Sequence, residues 1–272
     1  MTFWRQEVGF TSHPDPDFPR IAPREIAEVS PGKRVLNLII THVGGEGFLR
    51  LREHWRGVCP EEDLWIVFGG SRADFETLDY ARKIFVEDPA LRTRDHQREK
   101  QSYEGLLQAV LPMIRKKAPD YIHLCEYDHL PVVSDLNARQ VETIRKEGAD
   151  VMAHYLIRSD RTCWPIGLAH ESDPEFYPFW KSLSRREDPS VVLWMFGSGS
   201  FWTREAFLAV ASTPQSIDCY FEIFLPTLAH HLGYRVRCWR EDQHLIKNKP
   251  APEVTLENAR KRAAWTVHPV KG

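Results

Sequence analysis

The sequence predicts an α/β fold in which one mixed, mainly parallel sheet carries helices on both faces within a single domain. Three observations carry this. Short apolar, β-branched runs recur at 35–41, 63–68, 81–86 and 121–128, as strands buried on both faces do. Helical patterns alternate with them; the longest, 97–117, sets Tyr103, Leu106, Leu107, Val110, Leu111 and Ile114 three and four apart on one stripe. Such alternation makes βαβ units and therefore parallel strands. The length, 272 residues with 42% hydrophobic side chains, suits one large domain with a sizeable core.

In chain order, residues 1–33 are rich in Pro, Asp and Arg and read as an extended arm; residues 34–272 form the domain. The first strand runs into Gly44-Gly45-Glu46-Gly47 and a helix with Phe48, Leu51 and Trp55 on one face. The second strand closes on Gly69-Gly70. Pro112 is placed to kink the long helix. After the fourth strand, Ser134 is an N-cap for a helix reaching Lys146, ended near Gly148. A fifth strand spans 150–157. Residues 158–189 mix Trp164, Phe176, Tyr177, Phe179 and Trp180 with prolines and charges, and read as a long functional loop. A strand over 191–196 precedes a small-residue loop, Gly197-Ser198-Gly199-Ser200, and Thr203 caps the next helix. Helical stretches over 218–232 and 255–264, with an alternating strand over 234–239 between them, lead to a tail ending His268-Pro269-Val270-Lys271-Gly272.

Composition excludes several classes. With 36 basic and 38 acidic residues, the chain lacks the basic excess of general nucleic-acid binders. Mean hydropathy is -0.43, and no run approaches the ~18 apolar residues of a membrane span. The five cysteines are scattered without a C-x-x-C pair, which argues against a zinc knuckle and for a reducing compartment. A cytoplasmic location is expected.

The chemistry centres on Tyr121-Ile122-His123-Leu124-Cys125-Glu126-Tyr127-Asp128. In an extended strand Glu126 and Asp128 point to one side, and Pro131 stops the chain from continuing as an interior strand. Adjacent like charges need a cation, a proton or open water. Taken alone, the pair reads equally as a ligand site or a solvated turn. The glycines after the first strand lack G-x-G-x-x-G or P-loop spacing and alone read as a tight turn. The 197–200 loop would let a bulky ligand approach backbone. His268 and Lys271 supply an imidazole for a cation already held by carboxylates and a point charge for phosphate. His123 reads as a core histidine, His230 and His231 as imidazolium at a helix C-terminus, and Arg92, Arg94, Arg98 and Lys100 as the solvated start of a helix.

In this order the features resemble a GT-A fold glycosyltransferase of the nucleotide-diphospho-sugar transferase type. The match consists of a DxD-like Glu126-Tyr127-Asp128 after the fourth strand, the stretch 197–201, an acid-bearing helix with Asp218 and Glu222, and a terminal His268 with Lys271. The resemblance covers roughly residues 35 to 271 and implies a Rossmann-type sheet, with 34–133 as the nucleotide-binding half and 134–272 as the acceptor half closed by the tail. It implies Mn2+ or Mg2+ held by Asp128, His268 and Glu126, the last alternatively reaching the ribose. Donor contacts are then Thr41, His42, Val43, Gly69, Gly70, Lys100, Tyr103, Glu126, Tyr127 and Lys271, and acceptor contacts Gly197, Ser198, Gly199 and Trp202. Glu222, with Asp218 in reserve, is the implied general base. The donor is a nucleotide sugar, UDP-sugar favoured and GDP-sugar possible, and the acceptor a carbohydrate or other hydroxyl. Two other readings stand beside it. A sugar-phosphate nucleotidyltransferase of related fold would want a basic glycine-rich loop near the N-terminus, and 44–47 has no basic residue until Arg50. A non-catalytic binding module would use the aromatics of 158–189 as its surface.

Overall fold

The computed structural model describes residues 33–88, 91, 103–159 and 165–270. In chain order, β1 (Val35–Thr41) leads to α1 (Gly45–Arg56), β2 (Leu64–Phe68) to α2 (Arg72–Thr77), and β3 (Lys83–Phe85) to α3 (Tyr103–Lys117). β4 (Tyr121–Glu126) and the short β5 (Leu130–Pro131) precede α4 (Leu136–Lys146) and β6 (Val151–Arg158). Next come α5 (Pro165–Glu171), α6 (Phe176–Leu183), the long β7 (Leu193–Thr203), α7 (Arg204–Ala211) and α8 (Phe221–His231). β8 (Val236–Cys238), β9 (His244–Ile246), α9 (Leu256–Lys261) and β10 (Thr266–His268) complete the order.

Seven strands form one sheet, β3-β2-β1-β4-β7-β6-β8. Its neighbours pair in parallel except where β7 meets β4 and β6. The mixed, mainly parallel sheet that the resemblance implies is therefore the one observed. Period two divides its faces: Leu36, Leu38, Ile122 and Leu124 enter one core with α3 and α8, while Ile39 and Cys125 enter the other with Phe48, Leu51 and Trp55 of α1. A second, three-stranded sheet, β5-β10-β9, lies across the end of the first. Pro131 sits in its edge strand, where the missing N–H costs no ladder bond. Four cysteines, Cys59, Cys125, Cys219 and Cys238, are free thiols. No helix among the described residues is long and apolar enough to cross a membrane.

Several expectations need correction. The stretch 158–189 is not a loop: it folds into α5 and α6, and Phe176 and Trp180 are fully buried against α8. The residues 197–200 are not a loop either. They continue β7 without interruption, because Glu222 and the packed ring of Phe221 close over Gly197. Ser134 does not cap α4; Asp135 holds the N-cap position, and its carboxylate accepts from Arg139 instead. The helix expected from residue 218 begins at Phe221. Thr203 does cap α7, accepting from the Ala206 N–H. The arm 1–33 and the helical start at 97–102 fall outside the described residues except at residue 33.

The α6 correction is testable. Trp180→Ala removes an indole packed on Phe176, Phe179 and Phe224, a change that costs roughly 3–5 kcal/mol in a filled core. Urea denaturation should show a clear loss of midpoint; an unchanged midpoint would return the segment to the surface.

Candidate functional site

The site is built where β4 ends. Glu126 is the last residue of that strand, and the His129 N–H donates to the Glu126 carbonyl at 3.0 Å, folding Tyr127 and Asp128 into a turn. The two carboxylates thus converge through a turn rather than through strand alternation. The tail then closes on them. The Val270 N–H donates to the Asp128 carbonyl at 2.9 Å, and β10 pairs with β9 so that His268 lies opposite Ile246. His268 is buried, with Nε2 at 3.3 Å from Asp128 Oδ1 and 3.9 Å from Glu126 Oε2. One ligand atom from each of the three residues lies within 4.8 Å of the other two.

The donor set fits a divalent cation. His268 Nδ1 contacts the Lys247 carbonyl at 3.1 Å. A carbonyl only accepts, so Nδ1 carries the hydrogen; in that tautomer of the neutral ring the Nε2 lone pair faces the acids. Asp128 Oδ1 is buried without a hydrogen-bond partner among the described residues. Three electron-pair donors facing one another repel unless a positive charge sits among them. Carboxylates with one imidazole suit Mn2+, and Mg2+ less closely. The carbonyl behind the ring fixes its tautomer, as partners of metal-binding histidines do.

Behind the triad runs a polar brace. Ser198 Oγ accepts from the Glu126 N–H at 2.9 Å and lies 3.1 Å from His129 Nδ1. Gly199, at φ +80°, lets the His129 ring lie against its α-carbon: a methyl there would stand 2.1 Å from His129 Cε1. Glu222 accepts from the Gly197 N–H at 2.8 Å and from Trp194 Nε1 at 3.2 Å. In this conformation both its oxygens hold β7. Asp218 is exposed ahead of α8.

The remaining expected residues separate into two groups. His42, half-buried Val43 and Tyr127 gather at the C-terminal ends of β1 and β4, with the His42 and Tyr127 rings edge-on at 5.0 Å. Thr41 is buried there and its hydroxyl accepts from the Val43 N–H. Gly69 and Gly70 also reach this edge, but Leu91 covers one, and the Phe68 ring and His42 carbonyl crowd the other. A side chain at either glycine would meet protein. Tyr103 and Trp202 depart altogether. Tyr103 is buried and stacked on Phe221 with ring centres 3.8 Å apart, and Trp202 is buried with its indole N–H on Ser200. Both belong to the core. Lys100 and Lys271 lie outside the described residues, as do Arg92, Arg94 and Arg98.

The sequence reading missed a cluster of buried histidines behind His268. His129 lies 5.7 Å from His268 and 5.6 Å from His154 between ring centres, and His154 lies 4.5 Å from His244. Burial pushes all three, His129, His154 and His244, well below the ordinary histidine value. Their only sequence signal was position: His129 directly follows the acidic motif, and His244 and His154 sit in strands. His123 is the core histidine expected, held by Asn37 and Gln140 and lowered by burial to about 3. His230 and His231 contradict their expectation. Both are buried, His230 is pushed down to about 3, and desolvation outweighs the helix dipole that favours the charged ring.

Two outcomes follow. Gly199→Ala combines a left-handed backbone with a methyl driven into His129, and should cost about 2–4 kcal/mol in urea unfolding; wild-type stability would show that β7 yields freely there. The second concerns acid. His123 and His230 titrate near 3 when folded and near 6.5 when unfolded. Below about pH 6.5 the unfolded chain takes up protons that the folded chain refuses. Their stabilisation is thus complete above pH 6.5 and is lost as pH falls towards 3, by up to about 1.4 kcal/mol per pH unit for each ring. Urea midpoints between pH 7 and 5 should fall steeply, and a flat profile would mean that these rings are not held neutral.

No family model matches the chain, and no curated protein matches it. Solved structures do. The mannosyltransferase PcManGT from Pyrobaculum calidifontis, solved with GDP-Man and Mn2+, shares 15% identity at a TM-score of 0.42, over 81% of this chain and 59% of that one. The bifunctional IspDF from Campylobacter jejuni shares 8% identity at a TM-score of 0.40, over 78% of this chain and 50% of that one. This chain spans less than two thirds of either, neither likeness assigns a family, and the chemistry rests on its own residues.

Proposed function

We propose that this protein is a metal-dependent glycosyltransferase that moves a sugar from a nucleotide-diphosphate donor to an acceptor hydroxyl. The observation that supports it is the convergence of Glu126, Asp128 and His268 beside the C-terminal ends of β1 and β4. That edge of a parallel sheet is where α/β folds bind their ligands. Asp128 and His268 hold the cation, and Glu126 either joins them or turns to the donor's ribose. His42 and Tyr127 border the nucleotide. The cation's contribution is charge neutralisation on the departing diphosphate. Lys271, beyond the described tail, is the proposed diphosphate contact. The nucleotidyltransferase reading gains nothing here, since the nearest basic residue after the first glycines, Arg50, faces Glu46 at 3.7 Å. The binding-module reading keeps less of its surface, because Phe176 and Trp180 are core while Tyr177 stays exposed.

Calorimetry with UDP and GDP, with and without Mn2+, tests the reading. Binding of one nucleotide should require the metal. Asp128→Ala and His268→Ala should each weaken it at least about tenfold while circular dichroism stays native. Equal binding with and without Mn2+, or unaltered binding in both variants, would sink the assignment.

A further inference from the structure

Among the described residues, the acceptor stretch expected at 197–199 and Trp202 is buried within β7, so an acceptor must be held elsewhere. A cavity of about 210 Å³ opens beside the triad, between β6 and β9. His154, Tyr155, Glu241, His244, Lys247 and Arg262 line it, with Trp239 as an apolar wall. Its volume, below the ~300–1,000 Å³ of drug-sized pockets, suits one small unit rather than an extended chain.

Its connection to the triad is direct. β9 contributes Ile246 and Lys247 to the wall, and the same segment pairs with His268 and accepts from its Nδ1. Tyr155 lies 6.1 Å from Phe196, and Phe196 lies 4.9 Å from His268, between ring centres. One layer of side chains therefore separates cavity and triad. β6 is deformed to make this wall: its pairing with β7 slips on both sides of His154, and Tyr155 takes φ +50°. Such bulges re-aim side chains beside functional sites. The Tyr155 hydroxyl donates to the Ile246 carbonyl at 2.5 Å and ties the two walls together.

The lining also has a charge preference. Lys247 and Arg262 are exposed cations with no ion-pair partner among the described residues, and Glu241 is the single acid of the lining. Burial keeps His154 and His244 neutral, so the rings add polar edges but no charge. Two cations on the lining of one small cavity favour an anionic group, and the carboxylate of Glu241 accepts from hydroxyls.

We infer that this cavity holds the acceptor, and that the acceptor is a monosaccharide-sized polyol carrying a phosphate or carboxylate. The inference rests on the transferase reading for the word acceptor, and on the cavity alone for the ligand class. The test uses ligand-observed NMR on the full chain with Mn2+ and nucleotide. The probes are glucose 6-phosphate, glucuronate, uncharged methyl glucoside and inorganic phosphate. At least one charged sugar should bind tenfold or more tightly than methyl glucoside and than phosphate alone; which one binds separates phosphate from carboxylate. Arg262→Glu should weaken it at least tenfold, while Mn2+-linked nucleotide binding is retained. Equal binding of charged and uncharged sugars, or wild-type affinity in Arg262→Glu, overturns the ligand class. Nucleotide binding with no sugar bound removes the cavity from the mechanism and leaves the transferase reading standing. Charged-sugar binding without any metal-linked nucleotide binding supports the ligand class and overturns its role as acceptor.

Discussion

Glu126 and Asp128 repel one another, and the fold spends two separate segments on holding them together. The first is the turn closed by the His129 N–H on the Glu126 carbonyl. The second is β10, which returns from the far end of the chain and pins the turn through Val270 and Asp128. The same strand sets His268 against both acids, with its Nδ1 hydrogen bound to the Lys247 carbonyl. A pair held this way needs a cation, a proton or water between its carboxylates. The second sheet, β5-β10-β9, is the frame that carries His268 to the two acids.

The support extends well into the core. Glu222 holds Gly197, the next residue Ser198 holds the Glu126 N–H, and Gly199 makes room for His129. Each link depends on β7 keeping its register through a run of small residues. A run of small residues reads as a loop because it offers nothing to pack. Here the packing comes from the other side: Phe221, Glu222 and His129 fill the spaces that side chains would occupy. The same small residues therefore mark close approach by protein, where the sequence pattern suggests approach by a ligand.

This explains which parts were legible. β1, β2 and β4 were readable because each is a continuous apolar run with its own alternation, and α3 because its stripe repeats at helical spacing. The Glu126, Asp128 and His268 set was readable because carboxylates at a strand end and a histidine near a terminal lysine carry chemistry in their identity. What failed needed tertiary information. Trp180, Tyr103 and Trp202 are aromatic residues whose side chains could face a ligand or a core, and only the packing of α6, α8 and β7 decides. The two contacts of Glu222, to Gly197 and Trp194, were likewise beyond the reach of sequence, because they depend on how α8 packs on β7. His230 and His231 were judged by local dipole, and burial reversed them.

The buried histidines carry the argument furthest from sequence. A protein that only needed to fill volume beside the acids would use leucine or phenylalanine, since neutral imidazoles carry polar atoms that cost free energy when left without partners. Nε2 of His129 and Nε2 of His244 are both buried without a hydrogen-bond partner among the described residues. They therefore place unpaired polar atoms between the triad and the cavity. Neutral imidazole is polarisable and dipolar, yet adds no net charge next to a cation site. It also keeps the cavity's charge set by Lys247, Arg262 and Glu241 alone. A protonated ring at His129 would instead compete with a metal for the field of Asp128 and Glu126. Burial holds His129 well below the ordinary histidine value, so the ring that follows the acidic turn brings no proton of its own to it.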